Sequence, residues 1–173
     1  MDIAHRLGAF GRQPIADVID HARAFVAALA EVTGTIVDLG SGGGTPGLII
    51  AAERPDLELI LIDRRAGRVD VLDRMIARLG YVSRVRTLCV DASDLVSEPW
   101  APVDAVVARR FGAAHKTLAI AQPLIGPKGI VIVSEPPAAE RWNERTLAGL
   151  GLRRRPFDVP PGTGRVAVFE RST

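Results

Sequence analysis

Residues 36–47, Ile-Val-Asp-Leu-Gly-Ser-Gly-Gly-Gly-Thr-Pro-Gly, run from an apolar strand through an acid into a turn made almost wholly of glycine. No other stretch limits the possible folds so tightly. Gly40, Gly42 and Gly44 lack Cβ, so the turn can take positive φ and a ligand can lie against bare backbone. Pro46 suits the first turn of a following helix, where its missing N–H costs nothing. The helix start is then expected to offer free N–H groups to a polar ligand. A strand, a glycine turn and a helix in that order are how α/β proteins hold nucleotide-like cofactors.

Gly42, Gly44 and Gly47 also satisfy the G-x-G-x-x-G spacing of dinucleotide binders. Asp38 decides against that reading. A carboxylate two residues before the first glycine repels a pyrophosphate, but it accepts hydrogen bonds from the ammonium of an amino acid. S-adenosylmethionine carries such a tail and no phosphate. The pattern Asp38-x-Gly40-x-Gly42-x-Gly44 therefore resembles the first motif of class I methyltransferases.

Elsewhere strand and helix alternate. Apolar residues at helical spacing predict a helix over 14–30. Strands are expected at 35–39, 57–62, 85–90, 103–108 and 130–134, with helices at 45–53, 66–79, 113–125 and 138–150 between and after them. Residues 153–159 and 165–170 read as a closing hairpin. These segments predict an α/β fold with a seven-stranded, mostly parallel sheet, an antiparallel terminal strand and helices on both faces. Residues 1–173 are read as one domain: a helical segment over 1–31, a cofactor-binding core over 35–134 and the hairpin over 152–171.

In such sheets ligands sit at the carboxyl ends of the strands. Asp63, ending the second strand, is expected to accept from ribose hydroxyls, with Arg64 beside it. Asp91 and Ala92 follow the third strand, where an adenine would lie; Asp91 either accepts from the adenine amino group or caps the next helix. Arg109 and Arg110 follow the fourth strand and are expected to face the cleft. Asp104, at the far end of that strand, reads as solvated. His115 reads as a helix-surface residue, and Trp100 and Trp142 as packing residues. Cys89, the single cysteine, falls in a predicted strand and reads as a buried, inert thiol.

Other features set outer bounds. No apolar run is long enough to cross a bilayer, and no signal-peptide pattern opens the chain, so a cytoplasmic protein without membrane contact is expected. No His/Cys cluster has metal-ligand spacing. The net charge is +2, and Lys116 and Lys128 are the only lysines. Arginine is the better phosphate fork, which makes nucleic-acid binding plausible without demanding it.

The strings Val-Asp-Leu-Gly-Ser-Gly-Gly-Gly-Thr-Pro-Gly (37–47), Leu-Ile-Asp-Arg-Arg-Ala-Gly-Arg-Val (61–69), Asp-Ala-Val-Val-Ala-Arg (104–109) and Pro-Leu-Ile-Gly-Pro-Lys-Gly (123–129) resemble the small-subunit ribosomal RNA guanine-N7 methyltransferases, also called glucose-inhibited division protein B. The resemblance covers roughly residues 14–134 and, more faintly, the final hairpin. It implies cofactor contacts from Gly40, Ser41, Gly42 and Asp63. The cofactor set expected from motif and resemblance together is Asp38, Gly40, Ser41, Gly42, Gly44, Pro46, Asp63, Arg64, Asp91, Ala92 and Arg109. Arg109 is also the expected catalytic residue, forking to guanine O6 or to a phosphate. Arg68, Arg110 and Arg165 are expected on the substrate side. Where the family carries a lysine after the fifth strand, this chain has Glu135. The implied partners are ribosomal RNA or the small ribosomal subunit, met by a monomer. Methylation of a small molecule or protein, and a non-catalytic cofactor-binding module, remain alternatives.

Overall fold

The computed structural model describes residues 14–97, 99–136 and 141–172. The first thirteen residues of the expected N-terminal helical segment lie outside these. Helix α1 spans Ile15–Ala28. Then come β1 (Thr35–Leu39), α2 (Gly47–Glu53), β2 (Glu58–Ile62), α3 (Ala66–Leu79) and β3 (Val85–Leu88). A 3-10 turn over Ala92–Ser97 leads to β4 (Val103–Ala108), α4 (Ala114–Ala121) and β5 (Ile125–Ser134). Helix α5 (Glu144–Gly149), β6 (Leu152–Arg155) and β7 (Val166–Arg171) close the chain.

The seven strands form one sheet in the order β3-β2-β1-β4-β5-β7-β6. Strands β1 to β5 pair in parallel, and β7 runs antiparallel between β5 and β6. The expected seven-stranded, mostly parallel sheet with an antiparallel terminal strand is thus the observed one. Chain direction across the sheet reverses between β1 and β4, which opens a crevice at their carboxyl ends.

Alternation along each strand divides the core into two layers. Ile36, Leu59, Leu61, Ala105, Val107, Ile130 and Ile132 pack under α1, α2 and α3. Val37, Leu39, Ile60, Ile62, Val106, Val131 and Val133 pack under the 3-10 turn, α4 and α5. Strands buried on both faces read as continuous apolar runs, which is why the parallel core is so evident in the sequence. Helix α3 ends as expected at Gly80, where φ is 73° and Tyr81 N–H donates back to the Ile76 carbonyl. Arg54 ties α1 to α2 by donating to the Leu29 and Val32 carbonyls.

Several boundaries differ from the sequence expectation. Helix α4 stops at Ala121, because Pro123 forces a 3-10 turn over Gln122–Leu124. The fifth strand accordingly begins at Ile125, paired with Val103, five residues earlier than the pattern implied. Helix α5 begins only at Glu144, where the Asn143 side chain accepts from Arg145 N–H and Thr146 N–H; residues 138–140 of the expected helix lie outside the described part. Strand β3 ends at Leu88, so Cys89 is exposed in the loop beyond a sheet edge and not buried. Asp104 is not merely solvated: its Oδ2 accepts from Thr35 N–H at 2.8 Å and pins the start of β1 to β4. Among the described residues no helix is long and apolar enough to cross a membrane, and no His/Cys/Asp/Glu group could hold a metal ion.

Candidate active site

The glycine turn is a knot of buried polar contacts. Asp38 is 1% exposed, and its Oδ2 accepts from Gly47 N–H at 3.0 Å. Gly47 must be glycine: a Cβ there would stand 2.3 Å from Leu61 Cδ2 and 2.6 Å from Asp38 Oδ2. Ser41 stitches the ends of β1 and β2, donating through Oγ to the Asp38 carbonyl and accepting from Ile62 N–H. Gly40, Gly42 and Gly44 all take positive φ, of 68°, 53° and 92°.

The start of α2 does not offer free donors as expected. Gly47 N–H is taken by Asp38, Leu48 N–H by the Gly44 carbonyl, and Ile49 and Ile50 N–H by the Pro46 carbonyl. Pro46 sits one residue before the helix, in its cap. The turn winds so directly into the helix that its donors are consumed internally.

Burial raises the Asp38 carboxyl to about 7, against the opposing pull of Gly47 N–H and the nearby Arg109. Its Oδ1 is buried and has no partner among the described residues. Asp63 is also buried. Its Oδ2 accepts from Gly42 N–H at 3.1 Å and faces Arg68 at 3.4 Å, while Oδ1 accepts from Arg65 N–H.

Two cavities open along the carboxyl ends of the strands. The first, about 390 Å³, is lined by Gly40, Asp63, Arg64, Arg65, Arg68, Asp91, Ala92, Arg110 and Phe111, with Ile62 and Val90. It unites residues at or just past the carboxyl ends of β1, β2, β3 and β4 at the topological switch. Asp91 does cap the 3-10 turn, since its Oδ1 accepts from Ser93 N–H and Ser93 Oγ, which holds its pKa below the usual carboxylate range. It lines the cavity as well.

The second cavity, about 540 Å³, lies at the ends of β4 and β5. Its wall includes His21, Thr117, Ser134, Glu135, Arg141, Gly164 and Arg165, and it shares Arg110 and Phe111 with the first. Arg110 adopts φ 54°, a left-handed backbone uncommon for a non-glycine, at the partition between the two. Phe111 lies against Gly40, where any Cβ would meet its ring at 2.6 Å.

Of the expected site residues, Gly40, Asp63, Arg64, Arg68, Asp91, Ala92 and Arg110 meet at the first cavity, and Arg165 lies at the second. Asp38, Ser41, Gly42, Gly44 and Pro46, expected as cofactor contacts, do not line either cavity; they belong to the glycine turn, where Asp38 and Ser41 are buried. Arg109 does not face either cavity: it turns inward, its Nη1 donates to Thr45 Oγ1 at 3.1 Å, and its buried Nε has no partner among the described residues. Burial and Arg110 lower its pKa, against Asp38. Sequence reasoning missed Phe111, His21, Arg141 and Gly164. Phe111 directly follows the arginine pair and could have been found there. His21 has no local signal; a Cβ on Gly164, far along the chain, would stand 1.9 Å from its Nδ1. Burial, Arg109 and Arg110 lower His21 to about 4, so it is neutral.

A seven-stranded sheet in this order, with a glycine turn and acids ending β1 and β2, defines a Rossmann-like class I methyltransferase fold. Solved structures agree on the fold: the mitomycin 7-O-methyltransferase MmcR superposes with a TM-score of 0.72 at 16% identity, over 98% of this chain and 58% of that one. The O-methyltransferase NcsB1 of neocarzinostatin biosynthesis, solved with S-adenosylmethionine and 2-hydroxy-5-methyl naphthoic acid, gives 0.68 at 19%, over 98% and 55%. The family model GidB, rRNA small subunit methyltransferase G, matches residues 12–144, and the chain belongs to that family. It is 33% identical over 142 residues to ribosomal RNA small subunit methyltransferase G of Clavibacter sepedonicus, covering 80% of this chain and 65% of that protein. For the protein of the same name from Renibacterium salmoninarum the values are 36% over 132 residues, 76% and 59%. The chain thus spans less than two thirds of the length of these relatives.

Proposed function

We propose that this chain is an S-adenosylmethionine-dependent methyltransferase acting on guanine N7 of small-subunit ribosomal RNA. The observation that carries the cofactor is the first cavity: bare Gly40 backbone and the Asp63 carboxylate open onto one space at the carboxyl ends of the strands. These residues fit the group. Asp63 retains acceptor capacity for ribose hydroxyls, and Asp91 and Ala92 would border the adenine, while the buried Asp38 holds the glycine turn from within through Gly47 N–H. When bound, the cofactor supplies a methyl group that its sulfonium already makes electrophilic.

The chain's task is then placement. Guanine N7 has a free lone pair and needs no general base, and positioning alone can lower a barrier greatly. The second cavity would seat the target base, with Arg110 and Phe111 at the gate toward the cofactor. Arg68, Arg110 and Arg165 supply positive charge around both openings for the RNA backbone. Family membership supports the RNA substrate.

The test is transfer of labelled methyl from S-adenosylmethionine to small ribosomal subunits, to stripped RNA and to a metabolite extract. Label in one guanosine of the RNA, with rates falling steeply as salt rises, is the expected result. Label only in the extract would replace RNA by a small-molecule substrate. No binding of cofactor at millimolar concentration would reduce the chain to a fold without the activity.

A further inference from the structure

We propose that Glu135 reads the Watson–Crick edge of the target purine and thereby selects guanine. This rests on the second cavity being the seat of the target base. Glu135 is an unusual group to find there. Its side chain is only 3% exposed, yet it lines the cavity. Its Oε1 is held by Arg141 Nε at 3.0 Å, while Oε2 has no hydrogen-bond partner among the described residues. Arg141 is itself anchored by donating to the Ser134 carbonyl, and Glu135 N–H donates to the Arg165 carbonyl. Backbone and carboxylate are therefore both fixed. A buried, oriented carboxylate with acceptor capacity left over calls for donors.

Guanine is the common base that presents two adjacent donors, N1–H and the N2 amino group, on one edge. Adenine and cytosine each set an acceptor beside their single amino group, which a carboxylate repels; uracil offers one N–H between two carbonyls. A carboxylate thus matches guanine and rejects the others, and leaving it unpaired costs more than the bond itself is worth. The orientation also suits the chemistry. N7 lies across the purine from N1 and N2. With the donor edge held at Glu135, N7 would lie on the far side of the base, in a cavity that shares Arg110 and Phe111 with the first.

The experiment uses the full chain. Labelled transfer to small ribosomal subunits first maps the modified guanosine. An RNA fragment around it is then made with guanosine or with inosine, which lacks the N2 amine. The unaltered chain should prefer guanosine by about 10- to 100-fold in kcat/KM. Glu135→Gln should lose a similar factor on guanosine, keep cofactor affinity within about twofold, and shrink the guanosine/inosine ratio toward one. A merely structural role would not move that ratio. An unchanged ratio in Glu135→Gln overturns the inference. Should that variant fold poorly, equal rates of the unaltered chain on guanosine and inosine overturn it alone. Label in no guanosine at all overturns the proposed RNA activity first.

Discussion

The two cavities share a wall but are built in opposite ways. The first borders a turn set by backbone: glycines at positive φ, with Asp38, Ser41 and Asp63 bonded to main-chain groups, and side chains such as Arg64, Arg68 and Asp91 completing the cavity beside it. The second is made of side chains gathered from α1, the end of β5, the segment before α5 and the loop before β7. A backbone site tolerates almost no added volume, whereas a side-chain site can adjust. One glycine in each region separates the two cases. Gly47→Ala would drive a methyl group into Leu61 and the Asp38 carboxylate, both buried with nowhere to move. We expect a loss of about 1–3 kcal/mol or more in stability, with cofactor binding abolished. Gly164→Ala meets the His21 ring, which is only partly buried and can swing. That variant should lose less than about 1 kcal/mol and bind cofactor normally, with turnover alone reduced. Denaturant melts and calorimetric titration of both variants check this; equal damage would show that the second region is as rigid as the first.

The adjacent arginines sharpen the contrast. Arg109 belongs to the first region, bonded to Thr45 and close to Asp38; Arg110 is exposed at the partition. Arg109→Ala removes the cation beside a buried carboxylate and should weaken cofactor binding about 10- to 100-fold, with turnover falling alongside. Arg110→Ala should leave cofactor affinity within a few-fold, raise KM for RNA and flatten its salt dependence by about one phosphate contact. If Arg109→Ala kept full affinity and lost only turnover, Arg109 would act on the target, as the sequence alone led us to expect.

This contrast also explains what was legible beforehand. The parallel core was plain because strands buried on both faces are unbroken apolar runs, and the glycine turn because its conformation demands particular residues within twelve positions. Gly40, Asp63 and Asp91 followed from that frame. The inward turn of Arg109 did not, since nothing local tells which of two consecutive arginines points into a cleft. Nor did the second cavity, where His21 meets Gly164 and Glu135 meets Arg141. Such pairings are set by tertiary packing, which one-dimensional patterns do not carry. The exposed Cys89 was misread for a related reason: an edge strand ends wherever its single neighbour stops pairing.

The smallest expected effect is one of cancellation, and it involves one group from each region. Asp38 is raised from 3.8 to about 7. Between those values the folded chain holds a proton that the unfolded chain has released, so its contribution to stability is present in acid and is lost as pH rises toward 7. His21 is lowered from 6.5 to about 4. Between those values the unfolded chain holds the proton and the folded chain does not, so its contribution is lost as pH falls. The two windows overlap from about 4 to 6.5, with slopes of opposite sign and each at most about 1.4 kcal/mol per pH unit. In the unaltered chain these two terms should offset one another across that range. Asp38→Asn should uncover the histidine, giving a protein that gains stability as pH rises from 4.5 to 6.5, about two units chosen inside that overlap. His21→Gln should uncover the aspartate and give the opposite slope. Urea titrations of the three proteins at matched pH values measure both. Parallel profiles would mean that the two groups do not carry opposed protons, and that Asp38 is already ionised before any cationic ligand reaches it.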